Sequence, residues 1–250
     1  MRDDYRVDIP EGESGDWSVK RFTVSKQEAE LERLRAVFSF GGGGRGVPEG
    51  TYTGLYHGKS VIMSDTPHEI RDHLGFILRA EGRVLIHGLG LGMCAAAVLK
   101  KEEVTHVTVI EKSPDVIKLV GESMVTLAKE KIESGASQVG TMPSIIRAEN
   151  EAGEITSIHV YASDGENAIA KQATLVIKLD DCFTWKPPKG ERWNVVWHDV
   201  WDTICTDNLP EMSKMHRRFG RRCDWQGSWC RERLLFERRR EQRDPWQSGW

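Results

Sequence analysis

The chain has 250 residues, enough for one full α/β domain and a small appendage. Its formal charge is −3, so no global basic field argues for nucleic acid, and no apolar run approaches the roughly 20 residues that span a membrane. The opening stretch, MRDDYRVDIPEGESGDW, is polar and acidic, unlike a signal peptide. The five cysteines, Cys94, Cys182, Cys205, Cys223 and Cys230, are odd in number and contain no Cys-x-x-Cys pair. A reduced, cytoplasmic protein is the simplest expectation. Cys223, Cys230 and a histidine match no standard zinc spacing, so no metal site is expected.

In chain order, residues 1–16 read as a loose lead-in and Trp17–Val24 as a strand. Ser25-Lys26-Gln27-Glu28 is a capping box, opening a helix to about Phe38. Gly41 to Gly44, with Gly46 and Pro48, read as a plain linker; no Lys-Ser or Lys-Thr follows, as a phosphate loop would require. Residues 51–64 alternate and turn at His57-Gly58-Lys59, which predicts a hairpin. Thr66, Pro67 and Glu69 supply the cap, the first-turn proline and the box partner of a helix to about Ala80. Residues 1–64 thus form a small β-rich region ahead of a main domain, 65–250.

Residues 83–111 organise the rest. The apolar run 83–87 fits a buried parallel strand, and Gly88, Gly90 and Gly92 then make a Gly-x-Gly-x-Gly turn. Residues 93–101 form a helix with three alanines, small enough to pack closely on a sheet. Residues 105–110 are a second β-branched strand, with Glu111 at its end. Strand, glycine turn, helix, strand and acid make half of a nucleotide-binding sheet. A dinucleotide fingerprint wants a small residue at the sixth position of the turn, and here it is Met93.

Another helix spans 113–133. Residues 134–172 are an insertion, with 144–147 and 154–162 as an added hairpin around 150–153. Strands follow at 174–179, ending in Asp180-Asp181, and at 193–197, running into His198-Asp199-Val200-Trp201-Asp202. Helices are expected at 208–219 and 229–240, around the connection 221–228. The expected fold is α/β, a doubly wound, mostly parallel sheet. In such sheets ligands bind outside the carboxyl ends of the strands, so Gly88, Gly90, Gly92, Glu111, Asp181, His198, Asp199 and Asp202 should meet in one crevice. His198 and Asp199 together suit a general-base pair. Trp201 and Trp225, flanked by polar residues, are the expected aromatic wall.

The turn Gly88-Leu89-Gly90-Leu91-Gly92 resembles the first motif of class I methyltransferases, whose ligand is S-adenosylmethionine. Residues 51–202, apart from the insertion, resemble the spermidine synthase branch of that fold. His68-Glu69-Ile70-Arg71-Asp72-His73 matches its His-Glu-x-x-x-His helix, and Asp199-Val200-Trp201-Asp202 its Asp-x-x-Asp. The resemblance implies that Glu111 binds the ribose hydroxyls, that Asp181 reads the adenine amino group, and that Asp199 helps deprotonate an attacking amine. Three polyamine-specific positions depart from the pattern: Leu91 replaces the acid that holds the aminopropyl amine, Pro67 a tyrosine and Met63 a glutamine.

The implied function is group transfer from S-adenosylmethionine, or its decarboxylated form, to a small molecule. Methyl transfer is favoured; aminopropyl transfer and a non-catalytic nucleoside-binding protein are the alternatives. No Asn-Pro-Pro-Tyr or Pro-Cys motif supports a nucleobase acceptor. The arginines at 217, 218, 221, 222, 231, 233 and 238–240 are interleaved with Glu232, Glu237 and Glu241, which favours a solvated helical face. Nucleic-acid binding through that segment, and homo-oligomerisation, are left open.

Overall fold

The computed structural model describes residues 5–38, 46–135, 142–163 and 173–243. The glycine run 41–44, Trp246 and Trp250 lie outside the described residues. The described residues form two sheets. The first is antiparallel, in the order β1 (Gly12–Ser14), β2 (Trp17–Val24), β3 (Gly50–His57), β4 (Ser60–Ser64). The helix α1 (Lys26–Phe38) starts at the expected box: Glu28 accepts the Ser25 N–H at 2.8 Å, and Ser25 Oγ accepts the Glu28 N–H at 3.3 Å. Within the lead-in, the described residues 5–16 are not loose. Val7 and Ile9 are buried in the core, and β1 pairs with β2.

The second sheet has seven strands. In chain order its elements are α2 (Pro67–Ile77), β5 (Gly82–His87), α3 (Met93–Leu99), β6 (Val104–Glu111), α4 (Pro114–Gly135), β7 (Met142–Glu149) and β8 (Ile155–Ser163). Then come β9 (Ala173–Leu179), β10 (Trp193–His198), α5 (Leu209–Phe219), β11 (Cys223–Ser228) and α6 (Arg231–Arg243). The spatial order is β11-β10-β5-β6-β9-β8-β7. The first five strands pair in parallel, and β8 and β7 run antiparallel. The inserted hairpin therefore continues the sheet beyond β9, with Ile158 opposite Ile177.

Alternation assigns the faces. Val84, Ile86, Val107 and Val109 pack with Ala95, Val98 and Val120 of α3 and α4. Leu85, Ile110 and Val196 point the other way and pack with Met215 and Phe219 of α5. The sheet is thus covered on both faces at β5 and β10, where the strands read as continuous apolar runs. Val19, Leu55 and Met63 of the first sheet belong to the same core as β5 and α3, so residue 64 separates two sheets, not two cores.

Two local details differ from the sequence expectation. Thr66 makes no side-chain cap bond to α2; instead the Glu69 carboxylate accepts from Ser64, N–H at 2.8 Å and Oγ–H at 2.7 Å. And 221–228 is not a plain connection but contains β11, paired with β10 from Trp193–Cys223 to His198–Ser228. The segment Cys-Asp-Trp-Gln-Gly-Ser has little strand pattern of its own; pairing with β10 and the stacking of Trp225 on Trp197 override the weak local preference. No described helix is long and apolar enough to cross a membrane.

Candidate functional site

A cleft opens at the carboxyl ends of β5, β6, β9 and β10, against the hairpin of the first sheet. Gly88, Gly90, Glu111, Asp181, Asp199 and Asp202 all line it, together with Met63, Glu69, Lys112, Asp180, Trp17, Phe183, Trp201 and Trp229. Six of the eight expected site residues therefore converge. Gly92 and His198 do not line the cleft.

Glu111 is the best-held acid. Its Oε2 accepts the Leu89 N–H at 2.7 Å, and its Oε1 accepts the Ser113 N–H at 2.8 Å. The side chain is nearly buried, at 7 % exposure. Burial raises its pKa, and the amides of Leu89, Ser113 and Lys112 oppose that shift. The glycine turn makes this arrangement sterically feasible. At Gly88, φ is +90° and a Cβ would collide with the Asp199 carbonyl oxygen. The bare backbone lets the ends of β5 and β10 close up, with the Asp199 N–H bonded to the His87 carbonyl at 2.9 Å.

The other two glycines have different duties. A Cβ on Gly90 would stand 2.6 Å from Met63 Sδ, and the Leu91 N–H points to the same sulfur at 3.1 Å. Met63, not open space, covers that part of the turn. Gly92 faces Val120 and Met124 of α4; its lack of a side chain serves helix packing.

The acids of the cleft repel one another. Asp199 is pushed up to about 8, first by burial and then by the charges of Glu69 and Glu111. Glu69 is pushed up to about 7, chiefly by burial, with the Ser64 hydrogen bonds opposing. Clustered, desolvated carboxylates of this kind favour a proton or a cationic ligand. Asp181 sits exposed at the rim, its Oδ1 accepting the Phe183 N–H at 2.8 Å, and Asp202 is also exposed.

His198 departs from the expected pairing with Asp199. Neighbours along an extended strand point to opposite faces, so its ring lies fully buried on the α5 side. There His198 Nδ1 meets His87 Nδ1 at 2.7 Å, and His198 Nε2 meets Gln226 Oε1 at 3.3 Å. The histidine beside Asp199 is His73 of α2, with Nε2 at 3.8 Å from Oδ2. Cys94 of α3 adjoins both, and the three ligand atoms lie within 4.8 Å of one another.

Among the aromatic residues, Trp201 lines the cleft as expected, but Trp225 stacks on Trp197 with planes 7° apart and does not. Trp17 and Trp229 take its place. In the sequence Glu69 reads as a helix cap and as part of the His-Glu-x-x-x-His motif, and no local pattern singles out Cys94, Trp17 or Trp229. Several arginines of the C-terminal segment tie loops together: Arg218 donates to the carbonyls of Cys182, Phe183 and Trp185, and Arg222 to those of Pro188 and Glu191.

No family model matches the chain, and a search of curated proteins finds no match.

Proposed function

We propose that the cleft binds S-adenosylmethionine, or its decarboxylated form, and that the chain transfers a methyl group from it to a small-molecule acceptor. The observation that carries this reading is Glu111, held by two backbone N–H groups beside the glycine turn and open to the cleft. Each carboxylate oxygen accepts one amide and keeps a lone pair for a ribose hydroxyl. The aromatic and acidic lining of the cleft suits a cation.

When bound, the donor supplies an electrophilic carbon attached to a sulfonium. The remaining work falls to the chain. Asp181, at the rim, reads the adenine amino group. Trp201, Trp229 and Phe183 exclude water around the reacting centre. Asp199 orients the acceptor and takes the proton that the acceptor nitrogen loses as its lone pair forms the new bond. A carboxyl that titrates near 8 is matched to that exchange.

Aminopropyl transfer is the second reading. The carboxylates of Glu69, Asp199 and Asp202 favour a polycationic acceptor. Against it stands Leu91, fully buried in the turn where an acid would hold the aminopropyl amine. Calorimetry with S-adenosylmethionine, its decarboxylated form, methylthioadenosine and NAD tests both. Methyl transfer requires saturable binding of S-adenosylmethionine at least as tight as that of the decarboxylated form; the reverse order favours aminopropyl transfer.

A further inference from the structure

Three elements of different origin converge under the cleft. The second residue of α3 is Cys94, α2 contributes His73, and the residue after β10 is Asp199. We propose that His73, Cys94 and Asp199 bind one divalent metal ion of the zinc type, with the fourth position facing the cleft. The proposal does not depend on the identity of the donor, and it is an alternative to the proton-accepting role of Asp199, because a carboxylate bound to the ion is not free to take that proton.

The geometry comes first. The ligand atoms all lie within 4.8 Å of one another, and His73 Nε2 stands 3.8 Å from Asp199 Oδ2. That separation is too long for a hydrogen bond. It is about 0.4 Å longer than the roughly 3.3–3.4 Å between two tetrahedral ligands that each lie about 2.0–2.1 Å from a shared ion.

His73 supplies an independent observation. It is 0 % exposed, and neither ring nitrogen has a hydrogen-bond partner among the described residues. A buried imidazole left unmatched is costly, and such an orphan calls for a partner. Trp229 stacks over the ring at 6.1 Å between centroids, and Trp197 meets it edge-on at 5.8 Å, so the ring plane is fixed by packing. The nitrogen that faces Asp199 is therefore aimed into the cluster.

Charge and donor type narrow the ion. A thiolate, a carboxylate and a neutral imidazole around a dication sum to zero, which suits a buried site better than the acids alone. One sulfur, one nitrogen and one oxygen exclude the all-oxygen shells of calcium and magnesium. They match zinc, whose catalytic sites keep three protein ligands and an open fourth position. Asp199 lines the cleft, whereas His73 and Cys94 are buried behind it, so the ion would lie beneath the cleft floor.

Cobalt(II) is the probe, added to the chelator-stripped full chain. The expected result is one equivalent bound, with tetrahedral visible bands and a thiolate charge-transfer band in the near ultraviolet. Zinc should displace it. The charge-transfer band should vanish in Cys94→Ser and persist in Cys230→Ser. Should Cys94→Ser fail to fold, X-ray absorption on the wild-type zinc form replaces it, with one sulfur and two or three nitrogen or oxygen neighbours expected. No stoichiometric cobalt binding, a band that survives Cys94→Ser, or a first shell without sulfur would overturn the proposal. S-adenosylmethionine calorimetry on the same stripped protein reads the donor separately, so the two readings fail independently.

Discussion

Glu111 is caught between burial, which discourages its charge, and two backbone amides, which favour it. Such an acceptor pays little reorganisation when a ligand hydroxyl arrives. A hydrogen bond to a charged group contributes about 1.5–3 kcal/mol. Glu111→Ala should therefore weaken S-adenosylmethionine binding at least about tenfold, measured by calorimetry on a variant whose circular dichroism is unchanged. Unaltered affinity would remove the ribose from this position. Asp199 is tested by a different ratio. As an acceptor of the substrate proton it contributes roughly 10²–10⁴-fold to rate. Asp199→Asn should keep donor affinity within a few-fold and cut single-turnover rate at least about a hundredfold. Near-normal turnover would make Asp199 a structural residue only.

The same reasoning at the scale of elements separates the cleft from the histidine pair behind it. The register of β5 and β10 sets His87 opposite His198. Gln226 donates its amide to the His216 carbonyl at 2.8 Å, which turns its oxygen toward His198 Nε2. His198 then carries its proton on Nε2 and accepts at Nδ1, so His87 donates from Nδ1. His87→Leu removes that donor and should cost about 1–3 kcal/mol in urea unfolding, with donor affinity unchanged. A selective loss of turnover at normal stability would put the pair in the chemistry instead. This pair also marks the limit of what was legible. The strands, the glycine turn and the converging acids follow from apolar periodicity and from acids at strand ends, signals carried by a few adjacent residues. The orientation of His198 required only strand alternation, but its adjacency to Asp199 suggested partnership. The strand β11, the partnership of His73 with Asp199 and the cover that Met63 gives Gly90 depend on contacts between residues far apart in sequence, which leave no local pattern.

For the molecule as a whole, the buried titratable groups predict an optimum of stability. Burial lowers His73 to about 4 and His198 to about 3, and holds His87 well below its usual range. Below about pH 6.5 the unfolded chain takes up protons that these folded histidines refuse, so stability falls on acidification, by about 1.4 kcal/mol per pH unit for each group. Glu69 and Asp199 act in the opposite sense. Their folded values of about 7 and 8 lie above the unfolded ones, so their contribution is present at low pH and is lost as pH rises through that range. Burial lowers His106 with these histidines and raises Glu111 with these carboxylates, so between about pH 4 and 6.5 four histidines outweigh three carboxylates; above 6.5 the carboxylates dominate. Thermal melts of chelator-treated protein from pH 5 to 8.5 should peak near pH 6.5, and a monotonic rise to pH 8.5 would contradict this balance. The central claim, that one cleft at the carboxyl edge of the sheet takes an S-adenosyl donor, is tested most directly by calorimetry on the intact chain with S-adenosylmethionine and NAD in parallel. The account predicts saturable one-site binding of S-adenosylmethionine and weaker or undetectable binding of NAD. Tighter binding of NAD, or no heat with any S-adenosyl compound, would contradict it.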